Sequence, residues 1–103
     1  MTGIGAAQES APTRVPPGQA AAITADGGVT GWLGDKRVSA LWSINQTRNS
    51  WVGIAGVGWK KLSNVSDSAI VAMTILGSNA KQTQTRFDYR EEADGMIHEI
   101  YLW

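Results

Sequence analysis

The side chains best suited to chemistry in this sequence gather between Ser43 and Leu62, where Trp51 and Trp59 alternate with Asn45, Gln46, Arg48, Asn49, Lys60 and Lys61. A flat indole stacks on the C–H face of a sugar ring, and amides and cations bridge the hydroxyls around it. The mixture is therefore the chemistry of a saccharide-binding surface, with Asn45, Gln46, Arg48, Asn49, Trp51, Trp59 and Lys60 as the candidate ligand set. Trp59 stands near a strand end and is followed by two lysines, which predicts an exposed ring. Trp42 alternates with Val38, Ala40 and Ile44 and is expected in the core.

Other chemistries fit less well. His98 is the only histidine, and in the terminal strand it alternates with Met96, Ile100 and Leu102, where a lone histidine is more often packed or half-exposed than catalytic. Glu91, Glu92 and Asp94 could pair as catalytic carboxylates or hold a hard cation, but they end in Gly95, as a solvated hairpin turn does. The glycines of Gly53 to Gly58 imitate a phosphate loop. They lie between Trp51 and Trp59 inside a strand-like run, with no Lys-Ser/Thr pair to complete the motif. Asn45-Gln46-Thr47 and Asn64-Val65-Ser66 match the glycosylation acceptor pattern, which is short enough to arise by chance. No cysteine is present, which excludes thiolate metal sites and disulfides. The expectation is a non-enzymatic chain with no catalytic residue, metal or cofactor.

The elements that position these residues form a single small domain. A chain of 103 residues buries about 60 to 65% of its unfolded surface, enough for one core but not for a large enclosed cleft as well. Residues 1–28 hold all three prolines and no aromatic residue, the composition of a disordered tail or linker, and residues 29–103 hold the domain. Arg37 to Ile44 alternates as a strand, after a short strand around Trp32 and a turn at Gly34-Asp35. Asn45 to Asn49 is a polar turn. Ser50 to Leu62 is expected to form one long strand, its glycines at 53, 56 and 58 allowing it to coil as a barrel closes.

Ser66 or Asp67 then caps a helix to about Asn79, with Ala69, Ala72, Met73, Leu76 and Ala80 facing the core and Gly77-Ser78-Asn79 as its stop. Ile70, Val71, Thr74 and Ile75 widen the apolar surface beyond what one barrel end covers. They are the expected contact with a neighbouring subunit. Gln82 to Arg90 and Met96 to Trp103 alternate as two further strands joined by the acidic turn. Five strands with a helix between the third and fourth predict a mainly β, OB-like barrel.

The stretch SDSAIVAMTILGSNAKQTQTRFDYREEADGMIHEIYLW, residues 66–103, resembles the C-terminal half of the B subunits of bacterial AB toxins of the pertussis and subtilase type. In both, an aliphatic helix precedes a short Asn-containing turn, a strand, an acidic turn with glycine, and a last strand of the I-x-x-I-Y-L kind. The resemblance implies an OB-fold that assembles as a ring, commonly a pentamer, and binds cell-surface glycans without catalysis. It carries no sugar-contacting residue onto Trp32 to Leu62.

Nine Lys and Arg balance nine Asp and Glu, which removes the general attraction that nucleic acid and anionic membranes exert on basic domains. Lys36-Arg37, Lys60-Lys61 and Arg48 could still line a groove for a single strand, but from Val29 onward eight basic residues face seven acidic ones. No apolar run is long enough to span a bilayer or serve as a secretory leader, so the chain as written reads as soluble, exported if a leader was removed and otherwise cytoplasmic. The leading expectation is a glycan-binding or surface-recognition module in a homo-oligomeric ring. The alternatives are a structural interaction module of a larger assembly and, third, a single-strand nucleic-acid binder.

Overall fold

A computed structural model describes residues 11–17 and 31–103. The expected tail falls partly on residues 1–10 and 18–28, which lie outside the described residues. In chain order the elements are β1 (Trp32–Lys36), β2 (Val38–Ser43), β3 (Ser50–Ile54), β4 (Gly58–Lys61), α1 (Asp67–Thr83), β5 (Phe87–Glu91) and β6 (Ile97–Leu102). They make two antiparallel sheets of three strands, ordered β1-β5-β6 and β2-β3-β4.

This corrects the expected five-stranded closed barrel. The described residues are mainly β with one helix, but they form six strands in two sheets, and the helix follows the fourth strand. The chain passes from one sheet to the other at Arg37, which belongs to neither strand. At the opposite margins a parallel bridge, Leu62 to Ile97, joins the sheets. The long strand expected from Ser50 to Leu62 is a hairpin. Gly56 at φ +79° and Gly58 at φ +111° adopt backbone conformations that side chains disfavour, so the glycines turn the chain instead of coiling a strand. The turn expected at Gly34-Asp35 is likewise an irregularity inside β1, where the register against β5 shifts between Leu33 and Lys36.

The helix begins as its sequence dictates, with the Ser66 hydroxyl accepting the Ala69 N–H at 3.2 Å. It does not stop at Gly77. Gly77 lets the helix close on the sheet: a Cβ there would stand 3.1 Å from Leu41 Cδ2 and 3.5 Å from Val52 Cγ2. The helix therefore continues to Thr83, where Gln84 takes the left-handed cap position and its side chain donates to the Val38 carbonyl at 2.7 Å. The buried stripe is Ile70, Met73, Gly77 and Ala80, while Ala69 and Ala72, expected to face the core, are exposed. The stripe packs on a core of Val38, Val52, Ile54, Leu62, Phe87, Tyr89 and Ile97. Among the described residues no helix is long and apolar enough to cross a membrane.

Candidate functional site

Leu41 and Val52 meet the helix at Gly77, so the alternate residues of β2 and β3 point to the opposite face of their sheet. Cross-strand register sets that outer face in two rows. Trp42 pairs with Trp51 and Trp51 with Lys61; Ala40 pairs with Gly53 and Gly53 with Trp59. Trp42, Asn49, Trp51, Trp59 and Lys61 line one open groove of about 470 Å³. Trp42 is 44% exposed and Trp59 51%. Asn49 fixes the middle ring. Its Oδ1 accepts the Trp51 indole N–H at 2.8 Å, and its own amide donates to Gln46 Oε1 at 2.8 Å.

Trp42 was expected in the core and lies on the surface. The cause is a register shift between Val38 and Ala40, where β2 advances two residues while β3 advances one. Val38 is buried opposite Ile54, and from Ala40 onward the alternation is inverted.

The structure brings Asn49, Trp51 and Trp59 of the expected ligand set into the groove, with Gln46 one hydrogen bond behind Asn49. Asn45 is exposed on the turn and does not line the groove. Arg48 is directed elsewhere, its Nε 2.5 Å from Asp67 Oδ1 and its Nη1 donating to the Asn64 carbonyl at 3.1 Å. That hydrogen bond and the adjacent charge hold the Asp67 carboxyl below its ordinary range and raise Arg48. Lys60 pairs with Val52 in register, so it faces inward, and its Nζ meets Glu91 Oε1 at 2.9 Å across the two sheets. Lys61 takes the place expected for Lys60.

The expected subunit contact divides. Ile70 is 6% exposed and belongs to the core, and the Thr74 hydroxyl donates to the Ile70 carbonyl of its own helix. Val71 and Ile75 are each 57% exposed. With Ile44 they line a second groove beside the β2–β3 turn.

The acidic hairpin is fully engaged. Glu91 meets Lys60, Glu92 meets Arg90, and Asp94 accepts the Met96 N–H and stands 2.8 Å from His98 Nε2. The Met96 N–H, then His98, hold the Asp94 carboxyl below its usual range. These contacts order a turn.

On the outer face of β1-β5-β6, Asp88 is completely buried. Arg86 donates to it twice, at 3.0 and 3.1 Å, the Asp35 N–H at 2.7 Å and the Trp103 indole at 3.2 Å. Burial alone would raise this carboxyl; the bonds from Arg86, Asp35 and Trp103 outweigh it and hold Asp88 below the ordinary range.

No protein-family model, curated protein or solved structure matches the chain. Sequence reasoning missed Trp42 and Lys61 in the groove, and Asp88 as the centre of the other face. The interleaving of Trp51 and Trp59 with amides and cations pointed toward the groove, and no local pattern pointed toward the Asp88 face.

Proposed function

We propose that the open face of β2-β3-β4 is a non-enzymatic carbohydrate-recognition surface. One observation carries the reading: the indoles of Trp42, Trp51 and Trp59 share one shallow groove, edged by the Asn49 amide and the Lys61 ammonium. Exposed rings supply apolar planes for sugar C–H faces, and the two polar groups at the edge supply direction. The assembly part of the proposal, a homo-oligomer, is supported by Val71 and Ile75, which a helix packed on its own domain alone would not need.

The nucleic-acid reading is weakened by the ion pairs. Arg37 meets Asp35, Arg48 meets Asp67 and Lys60 meets Glu91, which leaves Lys61 as the only cation among the groove's lining residues. A backbone-tracking channel needs several.

A glycan array, followed by titration of the best ligand against indole fluorescence, tests the proposal. Trp59→Ala and Trp42→Ala should each weaken binding at least tenfold, about 1.4 kcal/mol, with the melting temperature moving by no more than a few degrees. An array without signal, together with capture of a stable protein partner that these substitutions release, would assign the face to a protein instead.

A further inference from the structure

The outer face of β1-β5-β6 also carries aromatic rings, and residues 11–17 rest against it. The Arg14 guanidinium carbon lies 4.6 Å from the centroid of the Trp32 ring. Its Nη2 is 3.3 Å from Asp88 Oδ2, and its side chain is 12% exposed. The backbone N–H groups of Thr13 and Arg14 both donate to the Tyr101 hydroxyl, at 2.6 and 3.2 Å. Tyr101 is tilted against Trp32 at 5.4 Å and stacked on Trp103 at 5.1 Å. A buried carboxylate, an aromatic face for a cation and a hydroxyl that reads two backbone N–H groups are the parts of a guanidinium site built for an extended peptide.

Two features make the occupant exchangeable. Residues 11–17 form no strand or helix, so the segment leaves without breaking a ladder. Asp88 is also not stranded when Arg14 departs, because it keeps both bonds from Arg86, the Asp35 N–H and the Trp103 indole. The prolines at 12, 16 and 17 hold the segment near an extended form and lower the ordering cost of docking.

We infer that this cleft is a binding site for an arginine presented on an extended peptide, with residues 11–17 as its resident ligand and the same segment of a second copy as its ligand in trans. It lies on the opposite sheet from the Trp42, Trp51 and Trp59 groove and does not depend on what that groove binds.

The indole N–H resonances of the full chain test the site. Arg14→Ala should move the Trp32 and Trp103 signals and leave those of Trp42, Trp51 and Trp59 in place. Adding the peptide Ala-Pro-Thr-Arg-Val-Pro-Pro should return the two signals toward their original positions, saturably, and the same peptide with alanine for its arginine should bind at least tenfold more weakly. Signals that stay put at millimolar peptide, or equal binding of the two peptides, overturn the inference. Should Arg14→Ala lose the fold, a nitroxide-tagged peptide added in excess to the unaltered chain decides. Broadening confined to Trp32 and Trp103 supports exchange, and its absence refutes it.

Discussion

Replacing Asp88 with asparagine changes one oxygen into an amide of the same shape and isolates what the charge does. The carboxylate accepts from the Asp35 N–H and Arg86 Nε on Oδ1, and from Arg86 Nη2 and the Trp103 indole on Oδ2, with Arg14 Nη2 also beside Oδ2. An asparagine has one acceptor oxygen. Whichever way its amide is turned, at least two donors face an NH2 group, and one of them is always an Arg86 nitrogen. Hydrogen bonds to charged groups are worth about 1.5–3 kcal/mol each, and breaking a buried ion pair costs about 3–5 kcal/mol. Arg86 is partly exposed and recovers some hydration, which places the expected loss near the lower figure, about 3 kcal/mol. Urea denaturation at pH 7 should show it as a lower midpoint at unchanged slope. The sign of the pH dependence is fixed by the depressed carboxyl. Its stabilisation is complete above the unfolded value of about 3.9 and is lost as the pH falls below that toward the folded value. The gap between the parent chain and Asp88→Asn should therefore be constant from pH 7 to about 5 and close below about 4. A variant within 1 kcal/mol of the parent at pH 7, or a gap that does not narrow in acid, would refute this account of the buried carboxylate.

Three further outcomes follow from the geometry. Ile70→Asp should cost about 3–5 kcal/mol by placing an unpaired charge in the core, whereas Ile75→Asp should stay within about 0.5 kcal/mol and, if the homo-oligomer proposal holds, lower the mass seen by light scattering. Ser66→Ala removes the hydroxyl that accepts the Ala69 N–H and should lower stability by about 1 kcal/mol in thermal or urea unfolding. Gly58→Ala meets no neighbouring atom within 4 Å, so its cost of about 1–3 kcal/mol comes from the backbone alone at φ +111°, and a neutral result would show that the β3–β4 turn relaxes freely.

What the sequence reveals and what it conceals divide along one physical line. Period and caps are local, and they located the start of α1 at Ser66 and a strand on either side of the acidic hairpin, but not the boundary between helix and strand: the alternation expected as a strand from Gln82 begins while Gln82 and Thr83 are still helical, and β5 starts at Phe87. Faces depend on register, and register can be displaced by one residue that has no distinctive composition. Between Val38 and Ala40 that residue is Ser39, and the displacement carries Trp42 from the inner face to the outer one beside Trp51. In β4 the same one-residue distinction decides that Lys60 crosses inward to Glu91 while Lys61 edges the groove. Pairings distant in the chain are hidden for a different reason: Arg48 is taken by Asp67 and Asp88 by Arg14, and neither union leaves any periodic trace. The irregularity that misled the reading of Trp42 is also what assembles the site. With regular pairing through Ser39, Trp42 would point at the helix and the outer face would keep only Trp51 and Trp59. The bulge supplies the third ring, and deleting Ser39 alone, which leaves Val38 opposite Ile54 and Trp42 opposite Trp51 in an unbroken alternation, should keep that ring on the outer face.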